Sequence, residues 1–359
     1  MGEKISISLK GFFMSEYMII SLVCLVAMLA GCRGKTNKAG SNQTVNPDVQ
    51  AVVNSVSQKQ YRTYHLNIEN MGLGMYGGAQ YDMGYRNRDG WEGLGSLGNQ
   101  EARLYIMDTF RAMGLRVSEQ GSYLNVVGEL TGTTSPENIY IISSHYDHLE
   151  GDMPGGDDNA SGTAGVLEAA RVLSQYRFGS TIRFICFNAE EDKQIGSKDY
   201  VNKHVIPNAE KIIGMINIEM ILRPGSDANP HTVIDAELEA QSKHPPSVAW
   251  AREFLQAAND YVPSLIVNDT IIDCESTSDN DAFLNNGYPA FLVLENSLPD
   301  FWVANSYFHK SDDASDRLAN DADSPSGVTY DFAFATDVTR AVVALIAQEA
   351  ALVPEPVQR

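Results

Sequence analysis

The sequence predicts an α/β fold: a three-layer α/β/α sandwich around a central, mostly parallel mixed sheet. Helix-patterned and strand-patterned segments alternate along the chain, the pattern produced when strands are joined by crossover helices. At 359 residues, 43% hydrophobic and 20% charged, the chain also has the length and apolar content for one large buried core. No internal repeat is present.

In chain order, a helix is expected to start near Pro47. Residues 72–98 are dense in glycine, tyrosine and methionine and follow a period of neither 2 nor 3.6, so they read as a long loop. Such a loop either covers a cleft or packs on its own aromatic side chains. A helix over 100–113 leads to strands at 115–119 and 125–130 and to the short apolar run 139–143. A helix over 160–176, a strand at 181–188, a helix near 197–204 and a strand at 211–218 follow. A helix over 248–261, a short one at 280–286, a strand at 290–295 and a closing helix at 332–350 complete the order. In open sheets of this kind ligands collect beyond the carboxyl ends of the strands, so the residues that follow each strand carry the functional question.

The formal net charge of -20 argues against a nucleic-acid or anionic-membrane surface as partner. Most of these charges serve as a solvated acidic surface. The N-terminus reads as an export signal, with Lys4 and Lys10 before an apolar run at 17–30 that ends in Leu29-Ala30-Gly31-Cys32. That run is shorter than the ~20 apolar residues needed to cross a bilayer. It resembles the signals of bacterial lipoproteins, which implies cleavage before Cys32, acylation of the Cys32 thiol, and a place in the bacterial cell envelope, on an outer membrane facing the periplasm or the cell surface. Residues 1–31 are thus expected to be a signal peptide, 32–46 a flexible polar tether and 47–359 the catalytic domain. With Cys24 in the signal and Cys32 acylated, Cys186 and Cys274 remain. One pair is no disulfide framework, and Cys186, in an apolar strand-like run, reads as a buried free thiol.

The residues that carry chemistry stand where the strands end. His145-Tyr146-Asp147 follows the run 139–143, and Gly155-Gly156-Asp157-Asp158-Asn159 opens the next helix. Glu190-Glu191 follows the strand at 181–188, Glu219 follows 211–218, and His309 comes late in the chain. Imidazole nitrogen and carboxylate oxygen suit zinc, and two ions ~3.5–4 Å apart can share a carboxylate and a water whose pKa falls toward ~7. Such chemistry also needs a free carboxylate as general base.

These segments resemble the co-catalytic zinc aminopeptidases, relatives of bacterial leucyl aminopeptidase, glutamate carboxypeptidase, glutaminyl cyclase and the transferrin receptor ectodomain. The resemblance runs from about Gly95 to the C-terminus through four motifs in order: Ser144-His145-Tyr146-Asp147, Gly156-Asp157-Asp158-Asn159-Ala160-Ser161-Gly162, Asn188-Ala189-Glu190-Glu191 with Gly196-Ser197-Lys198-Asp199-Tyr200, and Phe308-His309-Lys310-Ser311-Asp312-Asp313. It implies the zinc-peptidase version of the phosphorylase/hydrolase-like sandwich and two Zn2+ ions bridged by Asp158. His145, Asp158 and Glu219 would hold one ion and Asp158, Glu191 and His309 the other, around a bridging hydroxide. Glu190 would be the general base, and Asp147 would orient the His145 imidazole. A cis peptide is implied at Asp158–Asn159. Glu219 departs from the aspartate usual there, by one methylene.

The implied activity is removal of residues from the amino end of peptide substrates. Carboxypeptidase specificity, glutaminyl-cyclase-type activity with a single zinc, and a catalytically silent binding protein stay open as alternatives. His65, His148, His204, His231 and His244 match no ligand motif and read as structural, and Asp157 reads as a turn residue. Ser278 and Asp279 read equally as pocket residues or as helix caps. Residues 221–230 are expected to lead away from the cleft. Oligomeric state is not encoded in any of these motifs.

Overall fold

The computed structural model describes residues 45–70, 96–149, 154–223, 236–240, 243–271, 278–295, 308–310, 313–314 and 330–353, all within one compact unit. The export signal, residues 32–44 of the tether, the 72–95 part of the expected loop, His231, Cys274 and residues 224–230 lie outside the described residues.

Helix α1 (Pro47–Asn54) starts where Pro47 cannot donate a hydrogen bond and the Asn46 side chain accepts the Asp48 N–H at 2.9 Å. Helix α2 (Gln58–Glu69) is an addition to the sequence reading. Its inward residues Tyr61, Tyr64, His65 and Ile68 keep helical spacing. Three of them are aromatic or imidazole rather than aliphatic, which blurs the hydrophobic contrast on which periodicity depends. Helix α3 (Leu97–Ala112) begins three residues before the expected start because Ser96 accepts the Asn99 N–H and caps it.

Strands β1 (Arg116–Gln120), β2 (Asn125–Leu130), β3 (Ser135–His145), β5 (Ser180–Phe187), β6 (Lys211–Glu219), β7 (Ala236–Glu239) and β8 (Ala290–Glu295) build one sheet in the order β1-β2-β5-β3-β6-β8-β7. The pairs β3/β5, β3/β6 and β6/β8 are parallel, and the flanking pairs β1/β2, β2/β5 and β7/β8 are antiparallel. The centre is therefore parallel and the edges antiparallel, the mixed sheet expected. Crossovers run through α4 (Ala160–Leu173), through α5 (Ile195–Tyr200) with its π-helical continuation Val201–Val205, and through α6 (Pro245–Tyr261) and α7 (Asn280–Leu284). Helix α8 (Phe332–Glu349) closes the chain, and a two-residue pair of β4 (Arg177–Phe178) with β9 (Leu352–Val353) ties its end back to the body. Strands β4, β7 and β9 are too short, and β7 too acidic, to give a periodic signal.

Both faces of the central strands are buried. Tyr140, Ile142, Ile182, Phe184, Ile216 and Phe291 pack against α1–α4, α6 and α8, while Ile139, Ile141, Ile185, Phe187 and Met215 pack against Tyr200, Val205, Phe283 and Leu284. Each such side chain contributes roughly 1.5–3 kcal/mol of burial, and this two-sided core makes the sheet a stiff platform. Gly214 lies directly beneath the Trp250 ring, where a side chain on the strand would collide with it, and the Trp250 indole donates to the Met215 carbonyl at 3.2 Å.

One expectation is corrected. Residues 221–223 do not lead away from the cleft: Ile221, Leu222 and Arg223 are buried, with the Ile221 N–H on Ser161 Oγ (3.1 Å) and the Leu222 N–H on Asp157 Oδ1 (3.0 Å). An apolar pair behind a strand end seals the core there, and Asp157, besides its place in a turn, anchors that seal.

Candidate active site

Parallel strands β3, β5 and β6 end side by side, so the residues after them share one edge of the sheet. His145 closes β3, Glu190 and Glu191 follow β5, and Glu219 closes β6. Asp158 enters from the loop before α4, where the Asp158–Asn159 peptide is cis and the Asn159 side chain accepts the Gly162 N–H at 2.8 Å. Ala189, Met220 and His309 take left-handed backbone angles, with φ of 59°, 38° and 57°. Such positions cost non-glycine residues on the order of 1–3 kcal/mol, and here each turns the chain sharply beside a functional side chain.

Asp158 divides its carboxylate between two groups. The His145 Nε2 atom lies 3.3 Å from Asp158 Oδ1 and 3.2 Å from Glu219 Oε1. The His309 Nε2 atom lies 3.1 Å from Asp158 Oδ2 and 3.3 Å from Glu191 Oε2. Ligand atoms ~2.0–2.1 Å from one tetrahedral ion are spaced about 3.3 Å apart, so both groups have the spacing of cation ligands, and their donors are those zinc prefers. Asp158 Oδ2 is buried without a hydrogen-bond partner among the described residues, which also fits a position meant for a cation. All five sequence-predicted ligands, His145, Asp158, Glu191, Glu219 and His309, are thus brought together.

The same edge also holds a residue the sequence reading left aside. His148 is buried, with Nδ1 2.9 Å from Glu191 Oε1 and 4.0 Å from Asp158 Oδ2. Its position three residues after His145, on the same strand exit, was the available signal. His65 and His204 stand elsewhere: His65 Nε2 meets the Gly156 carbonyl at 2.7 Å and His204 is 3.4 Å from Glu210. His244 pairs with Ser247 at 2.6 Å.

The supporting contacts differ in part from those expected. The Asp147 carboxylate accepts the backbone N–H groups of Glu190 (3.1 Å) and Glu191 (3.3 Å). His145 Nδ1 meets the Asp147 carbonyl at 3.2 Å, with the nearer carboxylate oxygen at 3.5 Å. Ser278 caps no helix; its hydroxyl donates to Glu219 Oε2 at 2.8 Å and accepts from Asn217 at 2.9 Å. Asp279 likewise makes no side-chain cap. Beneath the loop, Asp313 accepts the N–H groups of Asp157 and Asp158, and Tyr330 donates to it.

Electrostatics separate the carboxyls. Burial raises Glu190 well above the usual carboxylate range, with Asp279, Glu191 and Glu219 adding to it against His145. Burial also raises Glu219, and pushes Asp279 up to about 7. Asp158 is held well below its ordinary value: burial opposes this, but the nearby imidazoles of His145 and His309 prevail. For His309 burial acts downward, and contacts with Asp158 and Glu191 override it and push the imidazole up to about 10. Cys186, a free buried thiol, is pushed up to about 12 by burial.

The family model described as "Peptidase family M28" matches residues 125–327. Aminopeptidase Y of Saccharomyces cerevisiae is 26% identical over 202 residues, which is 55% of this chain and 36% of that protein. A probable zinc metalloprotease of Pyrenophora tritici-repentis is 34% identical over 104 residues, 27% of this chain and 21% of that protein. The chain thus spans about half or less of the length of the curated relatives it matches, whose shares run 36%, 52% and 21%. Among solved structures, an aminopeptidase from Aneurinibacillus sp. strain AM-1 superposes with a TM-score of 0.61 at 16% identity, covering 87% of this chain and 98% of that one. At that identity the likeness is one of fold.

Proposed function

Because the chain belongs to peptidase family M28, we propose that it is a zinc aminopeptidase, cutting residues from the free amino end of peptides at a centre that holds two zinc ions. The observation that carries this reading is the division of Asp158: one oxygen faces His145 and Glu219, the other His309 and Glu191. A carboxylate presented in two directions at ligand spacing suits a two-ion centre, and metal stoichiometry separates this reading from the glutaminyl-cyclase alternative.

Bound there, the ions supply Lewis acidity toward the scissile carbonyl and bring the pKa of a shared water toward ~7. The rest is work for the chain. Glu190 is placed by Asp147, and its Oε1 accepts the Gln194 side-chain amide at 3.0 Å. Its Oε2 receives the proton of the attacking water and passes it to the leaving amine, a transfer that a raised carboxyl pKa suits. Beyond the residues that would hold the ions, the acidic side chains of Glu190 and Asp279 stand in the same cluster, an environment that suits an α-ammonium better than an α-carboxylate and favours the amino-terminal over the carboxy-terminal cut.

The same reading extends to location: acylation of Cys32 would tether the enzyme to the cell envelope, with peptides as its partners and no contact with nucleic acid. No helix among the described residues is long and apolar enough to cross a membrane. Turnover of aminoacyl and N-blocked peptides, before and after chelation and zinc restoration, tests the activity together with the metal stoichiometry. Loss on chelation, recovery with two equivalents of zinc and a demand for a free amine are expected. Cleavage of blocked peptides alone would replace the reading with another peptidase specificity. Cys32→Ser should move the protein from the membrane to the soluble fraction.

A further inference from the structure

Nothing in the ligand set accounts for His148, a buried imidazole that no motif assigned. We propose that His148 is a positioning residue for the ion held by Glu191 and His309: its Nδ1–H holds Glu191 Oε1 so that Oε2 alone faces the ion. This inference rests on the two-zinc reading above and deepens it.

The geometry favours positioning over direct ligation. His148 Nδ1 stands 2.9 Å from Glu191 Oε1, a normal hydrogen bond, but 4.0 Å from Asp158 Oδ2, well beyond the about 3.3 Å between ligands of one tetrahedral ion. His309 Nε2 meets that spacing to both carboxylates, at 3.1 Å and 3.3 Å. The two rings stand at 65° to each other with centroids 6.1 Å apart, one on each oxygen of Glu191. Glu191 is therefore gripped from both sides by different partners; His148, Asp158 and Glu191 also present ligand atoms within 4.8 Å of one another, but the His309 side has the closer spacing of a coordination sphere. His148 is 1% exposed, so its hydrogen bond to Glu191 is made away from solvent.

The consequence is a carboxylate that cannot swing to chelate through both oxygens or to turn away when the centre is empty. The bond also requires the Nδ1–H tautomer, because a carboxylate presents only acceptors to it. Removing such a partner typically weakens metal binding by about 10–100-fold.

The test compares His148→Leu, which fills the space without a donor, with His148→Asn, whose amide N–H can stand near the position of Nδ1. The metal-free full chain of each is titrated calorimetrically with zinc and, separately, with cobalt for its visible spectrum. The positioning role predicts that Leu weakens one of the two binding steps by about 10–100-fold and leaves the other unmoved. It further predicts that Asn recovers most of the loss and that the cobalt-loaded Asn variant keeps the wild-type band pattern. Unchanged affinity in His148→Leu overturns the proposal. So does failure of His148→Asn to recover affinity, most plainly with cobalt bands altered as by loss of a nitrogen ligand, which would make His148 a ligand. Should the Leu chain not fold, Asn against wild type still decides by the same two readouts. A wild-type chain that binds fewer than two equivalents sinks the two-zinc reading instead, a result distinct from normal stoichiometry with an indifferent His148.

Discussion

The Asp147 carboxylate accepts the backbone N–H of Glu190 at 3.1 Å across 43 residues of chain, tying the exit of β3 to the exit of β5. Glu190 is thereby fixed by its main chain, and its side chain is left for chemistry. Glu190→Gln should keep zinc content near that of the parent while turnover falls by about 10²–10⁴-fold or more, the usual worth of a positioned acid–base group. Metal analysis and peptide assays on the same preparation check it; persistent turnover would assign the proton transfer to another group.

Chelation should lower thermal stability, because the buried carboxylates gathered at the strand ends lose the positive charge that balances them. A ligand at 100 times its dissociation constant adds about 2.7 kcal/mol to a folded protein. Melting temperature should therefore climb with added zinc up to saturation, and a melting curve indifferent to zinc would count against a preformed centre.

Glu219→Asp is the substitution toward the residue usual in the family. In this chain Glu219 Oε2 receives the Ser278 hydroxyl at 2.8 Å while Oε1 lies 3.2 Å from His145 Nε2. One methylene less cannot satisfy both, so affinity for the ion held with His145 should fall by roughly 10-fold, within the range for disturbed supporting contacts. Ser278→Ala should produce a smaller change in the same titration step.

Behind the loop that carries Asp158, burial pushes Glu295 up to about 7, partly opposed by Arg223 and a hydrogen bond with Asp157. A carboxyl whose folded pKa lies above its unfolded value, about 4.3, stabilises the fold most below that value. The contribution is lost as pH rises through about 7. Glu295→Gln, uncharged throughout, should flatten the decline in stability across that window. Denaturant melts at pH 4.5, 6 and 8 would show it as a smaller spread in midpoint than in the parent.

Gly196 is the second residue of α5, and a methyl group there would overlap the Asn188 carbonyl. Because that carbonyl belongs to the turn that delivers Glu190 and Glu191, Gly196→Ala should cost roughly 1–3 kcal/mol of stability, read by denaturant unfolding, and reduce turnover with it.

The legible parts of the molecule were those with strong contrast. The runs at 139–143, 181–188 and 211–218 are apolar on both faces, as parallel strands must be, and the groups after them could be assigned to one sheet edge before any coordinates. What escaped was set by tertiary contact. Helix α2 hides its inward face behind tyrosines and a histidine, and β7 exists because its four residues meet the edge of β8. The hydrogen bonds of Ser278 to Glu219 and of His148 to Glu191 span 59 and 43 residues, and no local pattern announces either.

The side chains grouped around Asp158 come from β3, the loop before α4, the turn after β5, the end of β6 and a segment near the C-terminus. No short stretch of the unfolded polypeptide could gather them. Cation capture is therefore a late event in the life of the chain, possible once the sheet has assembled its central strands. A metal titration followed during refolding would time completion of the whole architecture, and truncation before residue 309 would leave the second position short of its imidazole.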